Sequence, residues 1–114
     1  MPRFNVGLNQ REEELLAVPI NFNSAGDNTI ISGIAGQIIR VYRYFVIVSD
    51  VTQLTYKNGA VALTGPCFLT ANEAMVFTFD TKPWYLLSPG SNFVINSSSS
   101  VQVSGAAYYT QETQ

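Results

Sequence analysis

The feature that most constrains the fold is a run of thirteen β-prone residues at positions 37–49, QIIRVYRYFVIVS. It holds no Gly, Pro, Asn or Asp, and most of its side chains are β-branched or aromatic, which pack well on a pleated sheet. Strict alternation would divide the side chains into one face with Ile38, Arg40, Tyr42, Tyr44, Val46 and Val48, and another with Ile39, Val41, Arg43, Phe45 and Ile47. Neither face is polar. The run therefore predicts a long strand covered on both sides, by a second sheet on one and by a partner on the other.

Short β-prone segments follow one another from Ala17 onward, separated by Gly, Pro and Asn. Spacings of roughly 8 to 12 residues are typical of sandwiches and barrels. Pro19 predicts that the first strand lies at a sheet edge, because proline cannot donate to a ladder. Asn58-Gly59 predicts a hairpin with a type I′ turn. The predicted fold is all-β: an antiparallel β-sandwich of jelly-roll type with about eight or nine strands.

The first residues differ in composition from the rest of the chain. Residues 1–16 hold two of the six basic and three of the eight acidic residues. Asn9 and Glu12 have the spacing of a capping box, but so short a helix is marginal by itself. The predicted organisation is an extended N-terminal arm with at most a helical turn (1–16), a β-sandwich domain (17–110) and a tail (111–114).

The charge content and the length of the apolar runs argue against two classes of partner. Only 12% of the residues are charged and the net charge is −2, whereas nucleic-acid binding requires a basic surface. No apolar run reaches the 18 or more residues of a membrane span, and no apolar segment of a signal peptide follows Met1. We expect a soluble protein made in a cytoplasm, with no nucleic-acid or membrane partner.

Residue types that carry catalysis are scarce. The chain has no histidine and a single cysteine, Cys67, which excludes histidine-based triads and thiolate zinc sites. Asp27, Asp50, Glu73 and Asp80 lie in turn-like segments, where a carboxylate usually caps its own backbone. We expect no catalytic residue, no metal and no cofactor, and hence a protein that is not an enzyme.

Two groups of side chains are candidates for contacts with partners. One is the long-strand face that includes Arg40, Tyr42, Tyr44 and Val46, which predicts the contact between subunits. The other comprises the aromatic residues Trp84, Tyr85, Tyr108 and Tyr109. Aromatic rings with polar tips suit both sugars and protein interfaces, although core and interface positions are the more common ones.

The order of several short motifs resembles small β-sandwich structural proteins of tailed bacteriophages. The motifs are a turn at residues 25–30, a Gly-x-x-Ile-Arg-Val-like stretch at 36–41, a hairpin at 56–65, Pro83-Trp84, Gly90 and a closing Val-x-Gly-x-x-Tyr strand at 103–108. They are turn and core signatures spread over roughly residues 17–110, and they indicate fold more than function.

The resemblance implies a virion structural protein made in the host bacterial cytoplasm. It would be a capsid decoration (cement) protein, a homotrimer that binds and stabilises the assembled shell through the major capsid protein or another virion protein. We expect the arm to contact this scaffold through Arg3, Phe4, Arg11, Glu12, Glu13 and Glu14. The alternatives are a tail, fibre or connector component and a host-attachment module that binds glycans through the four aromatic residues.

Overall fold

The computed structural model describes residues 15–78 and 82–113, which form two antiparallel sheets packed face to face. In chain order the strands are β1 (Leu16–Phe22), β2 (Gly26–Ile31), β3 (Gln37–Val48), β4 (Thr52–Asn58), β5 (Val61–Ala62), β6 (Cys67–Leu69), β7 (Ala74–Phe77), β8 (Tyr85–Leu86), β9 (Phe93–Ser97) and β10 (Val103–Thr113). No helix of this described part could cross a membrane.

The order of the strands is that of a jelly roll. Sheet A runs β1-β10-β3-β7, with β8 also paired to β3, and sheet B runs β2-β9-β4-β5, with β6 also paired to β4. If β5 with β6 and β7 with β8 are each counted as one interrupted strand, every sheet has four positions. Successive strands then alternate between the sheets except at the β4–β5 hairpin, where both strands belong to sheet B. The predicted β-sandwich of jelly-roll type is confirmed, and β1 lies at the edge that Pro19 predicted.

A β-bulge interrupts the long strand β3 near its middle. In the pairing with β10, Tyr108 lies opposite Arg43 but Tyr109 lies opposite Val41, so Tyr42 is an additional residue on β3. An additional residue reverses the in-out alternation on either side of it. Ile39 and Val41 face the core before the bulge, and Tyr44, Val46 and Val48 face it afterwards.

The strict alternation predicted for residues 37–49 is therefore wrong. Tyr44 and Val46 are buried between the sheets, in the same cluster as Ile39 and Val41. Arg40 and Arg43, which alternation assigned to opposite faces, both lie on the outer side of sheet A, where they pair with Thr110 and Tyr108 of β10. The bulge allows one strand to supply the core along its full length despite two arginines.

An aromatic cluster fills the core next to β3. The Tyr44 ring lies 4.9 Å from that of Tyr56 and 4.7 Å from that of Phe77, measured between centroids. Tyr85 and Phe93 extend the cluster, with their rings 5.8 Å apart. Tilted and offset rings at such distances attract one another beyond the effect of the area they bury. The cluster therefore joins β3, β7 and β8 of sheet A to β4 and β9 of sheet B.

Two predicted boundaries and one predicted turn differ from the structure. β1 begins at Leu16, inside the predicted arm, and β10 continues to Thr113, inside the predicted tail, because its last residues remain paired with the start of β3. The hairpin exists, but Asn58 pairs with Val61, so its turn is Gly59-Ala60. Of the Asn58-Gly59 pair only Gly59 has a positive φ, at 62°, so the type I′ prediction is wrong.

Close backbone contact between β10 and β3 requires a glycine at position 105. Gly105 pairs with Val46, and a Cβ added there would collide with the carbonyl oxygen of Phe45. The obstacle is backbone in a central strand and cannot rotate away. This glycine is therefore a condition for the registered pairing of the two longest strands.

We predict that Gly105→Ala lowers the free energy of unfolding by about 1–3 kcal/mol or more, as expected for overpacking. Gly65→Ala is the matched control, because a Cβ at Gly65 meets open space. Urea denaturation measures both variants. Equal stability of Gly105→Ala and the wild type would contradict the close contact between β10 and β3.

Candidate interaction surface

The outer side of sheet A carries an exposed apolar area, here called the outer patch, formed by Phe45, Ile47, Val76 and Ala106. Phe45 lies on the central strand β3, opposite Val76 of β7 and Ala106 of β10. Phe45 is 39% exposed, Ile47 45% and Val76 65%. Large side chains that are adjacent and exposed in this way are typical of interaction sites, whereas scattered ones are normal.

A groove of about 210 Å³ borders the outer patch. Phe45 and Val76 line it on the side of the patch, and Phe77, Thr78, Arg43 and Tyr108 are among its other walls. The Arg43 guanidinium carbon lies 4.8 Å from the centre of the Tyr108 ring, close enough for a cation–π contact. The Tyr108 ring and the Arg43 guanidinium that lies over it thus form one border of the outer patch.

The exposed large apolar side chains of β3, Phe45 and Ile47, lie towards one end of this face. Towards the other end, Ile38 and Thr110 also lie on the outer side but are buried. Tyr42, the bulged residue, is buried outside the main core cluster. The bulge therefore separates the buried outward-facing residues Ile38 and Tyr42 of β3 from its exposed ones, Phe45 and Ile47.

The outer side of sheet B is polar where β2, β9 and β4 pair with one another. Lys57 Nζ lies 3.0 Å from the Asp27 carboxylate, and the Asn96 side-chain amide donates to the same carboxylate at 2.7 Å. The hydrogen bond from Asn96 and then that from Lys57 hold the pKa of Asp27 below its usual value. These groups already satisfy one another, so this part of the outer side of sheet B has less need of a partner than the outer patch.

The predicted subunit contact is only partly available at the surface. Tyr44 and Val46 lie in the core and cannot touch another subunit, and Tyr42 is buried at the bulge. Arg40 is partly exposed on the outer side, opposite Leu86 of β8. The long strand does present an apolar surface, but its exposed side chains are Phe45 and Ile47.

The four predicted aromatic residues do not form one surface. The Tyr85 hydroxyl lies 2.9 Å from that of Tyr44, and Tyr109 packs against the core. Tyr108 lies on the outer face beside Arg43. Trp84 is exposed, with its ring edge-on to Phe77 and its Nε1 donating to the Thr78 carbonyl oxygen. An exposed glycan platform made of all four rings is therefore not assembled.

The remaining predicted site lies in the arm. Arg3, Phe4, Arg11 and Glu12 to Glu14 are outside the described residues, so their contact with a scaffold stays a prediction. Phe45 and Val76 were not among the residues predicted from the sequence to contact a partner. The two residues lie next to each other because the short edge strand β7 pairs with the long strand β3, and the sequence alone does not show this pairing.

Within residues 15–78 and 82–113, no three His, Cys, Asp or Glu side chains come together in a way that could hold a metal ion. Comparisons of the chain with protein-family models, curated proteins and solved structures found no match.

Three phenols inside the sandwich have raised pKa values. Burial is the main cause for Tyr44, Tyr56 and Tyr85, because a phenolate would lose its hydration there. The Tyr56 hydroxyl also donates to the Met75 sulfur at 3.5 Å. These hydroxyls therefore belong to the packed core and are protonated in the folded state well beyond neutral pH.

We predict that stability is retained up to about pH 10 and falls above it, since the unfolded phenols then ionise while the folded ones do not. Tyr44 and Tyr56 together give a slope that steepens towards about 2.7 kcal/mol per pH unit once both unfolded phenols are ionised. Urea titrations between about pH 9 and about pH 11 measure it. Ionisation of every tyrosine near pH 10 in a protein that remains folded, followed by phenolate absorbance, would contradict this burial.

Proposed function

We propose that the protein is a structural subunit that self-associates through the outer patch and stabilises a larger protein shell. In its specific form this is the function that the sequence resemblance implies, a decoration protein of the head of a tailed bacteriophage. The supporting observation is that the outer face of sheet A exposes Phe45, Ile47 and Val76 next to one another, whereas Asp27, Lys57 and Asn96 of sheet B are paired among themselves.

These three side chains offer apolar area that a partner can bury. Burying one fully exposed large apolar side chain contributes about 1.5–3 kcal/mol. Each of the three is only partly exposed, so its burial by a partner contributes part of that amount. The residues adjoin one another on a sheet, so a partner can bury all of them without rearrangement. Contacts between a few such residues dominate protein interfaces.

A second copy of the chain is the partner that this chemistry favours. The outer patch has no charged member, and the cation at its border, Arg43, lies over the Tyr108 ring. Closed symmetry lets the same patch serve every subunit. In a trimer, binding of one subunit to a shell would raise the effective concentration of the other two, so individually weak contacts would give tight attachment. A protein that binds only the assembled shell stabilises that shell by its free energy of binding.

The same patch could instead close a ring in a tail or connector component. That version shares the self-association and differs in the scaffold. The attachment-module alternative is less supported, because its four aromatic residues are divided between the core, the outer face and an exposed position.

We predict that Phe45→Glu combined with Val76→Glu converts the oligomer to a monomer. Burying unpaired carboxylates costs at least about 3 kcal/mol, equivalent to a dissociation constant raised about a hundredfold. Light scattering at several concentrations measures the mass. Thr55→Glu, on the outer face of sheet B opposite Asn96, is the matched control and should keep the wild-type mass.

The experiment has two informative failures. A wild-type protein that is monomeric at every concentration would overturn self-association. An oligomer that survives the double substitution, in a variant with an unchanged circular dichroism spectrum, would place the contact elsewhere.

We also predict that deleting residues 1–14 abolishes attachment to the shell and leaves the oligomer folded. The deletion stops before β1, which begins at Leu16 and pairs with β10, so the sandwich should be preserved. Cosedimentation with undecorated shells of the virus that encodes the protein measures attachment. Full binding by the truncated protein would contradict the proposed role of the arm.

A further inference from the structure

A second groove lies at the end of the sandwich where the β3–β4, β6–β7 and β9–β10 connections meet. This loop-end groove has a volume of about 250 Å³. Its walls are the start of β4, the end of β6 and the beginning of the β9–β10 loop, and they comprise Val51, Thr52, Gln53, Phe68, Leu69, Thr70, Ser98 and Ser99. It is separate from the outer patch, which is on sheet A.

Hydrogen bonds between the loops hold the groove in shape. The Ser98 hydroxyl accepts from the Gln53 backbone N–H at 3.0 Å, and the Ser98 N–H donates to the Gln53 carbonyl at 3.0 Å. Beneath them the Thr52 and Ser97 hydroxyls are 2.8 Å apart and buried. The Thr70 N–H donates to the Glu73 carboxylate at 2.7 Å. A wall ordered in this way loses little entropy when a ligand binds.

Phe68 is the most exposed large apolar side chain in the described part of the chain, at 73%. It sits on the three-residue strand β6, opposite Gln53 of β4. Val51 lies in the same groove and is also exposed. The ring therefore presents a flat apolar surface to solvent beside a preformed depression.

Uncharged hydrogen-bonding groups surround this ring. The Gln53 amide, the Thr70 hydroxyl and the Ser99 hydroxyl make no hydrogen bond to any other described residue. Donors and acceptors are thus both available within one groove. None of the residues that line it is charged.

Two carboxylates flank the groove and add selectivity. Asp50 precedes the lining residue Val51 and accepts its N–H at 2.8 Å, while Glu73 accepts that of Thr70. No basic side chain lines the groove. Negative charge at the border disfavours an anionic ligand.

We propose that the loop-end groove binds a neutral carbohydrate. The Phe68 ring packs against the C–H face of a pyranose, and the Gln53, Thr70 and Ser99 side chains exchange hydrogen bonds with its hydroxyls. An apolar ring beside a few directional polar groups is the composition that such a ligand requires. The groove is smaller than the roughly 300–1,000 Å³ of sites for drug-sized molecules, so it accommodates one sugar ring of a longer glycan.

The test is nitrogen-15 NMR titration of the full chain with neutral oligosaccharides that end in glucose, galactose, mannose or N-acetylglucosamine. At least one of them should shift the amide signals of Gln53, Phe68, Thr70 and Ser99 with millimolar affinity. A sialylated oligosaccharide should bind more weakly than its neutral counterpart. Shifts confined to the neighbourhood of Trp84, or none with any neutral probe, would overturn the proposal.

Substitutions of Phe68 provide a second test. Phe68→Ala should lower the affinity for the oligosaccharide found to bind by about tenfold, whereas Phe68→Trp should leave that affinity unchanged. Val61→Ala is the matched control, because Val61 is equally apolar and exposed but lies in the β4–β5 hairpin outside the groove. Undiminished binding by Phe68→Ala would overturn the proposal. The mass of the oligomer should not change, so the result is independent of the outer patch.

Discussion

The pairing of β3 with β10 across the middle of sheet A is the constraint on which the rest of the structure depends. Gly105 permits the two backbones to approach, and the bulge at Tyr42 redirects the side chains of β3. As a result Tyr44 enters the core, where it joins the aromatic cluster that connects the sheets, and Phe45 turns outward. One backbone irregularity thus determines both the core and the outer patch.

Much of the fold could be predicted from the sequence, because strand segments, turn residues and the edge position of Pro19 are local signals. The bulge could not be predicted in this way, since no Gly or Pro marks position 42 and the bulge is visible only in the register of β3 against β10. Every assignment of residues 37–49 to a face depended on it. Tyr44 and Val46 were therefore assigned to a surface although they are core residues, and Phe45 was not recognised as exposed.

The candidate sites depend on tertiary pairing to a greater extent. Val76 becomes part of a patch only because the short edge strand β7 pairs with Phe45. Phe68 lies in a strand of three residues, too short for alternation to show which side faces water. The two grooves also lie on different parts of the sandwich, which would allow one surface to serve assembly while the other remains available to a ligand.

The most direct test of the central claim, that the outer patch joins copies of the chain, is isotope-filtered NMR on an oligomer mixed from labelled and unlabelled subunits. The account predicts intermolecular nuclear Overhauser effects from the methyl groups of Ile47 and Val76 and from the Phe45 ring. Intermolecular signals that arise only from sheet B residues such as Thr55 and Lys57, or a sample without any, would contradict it.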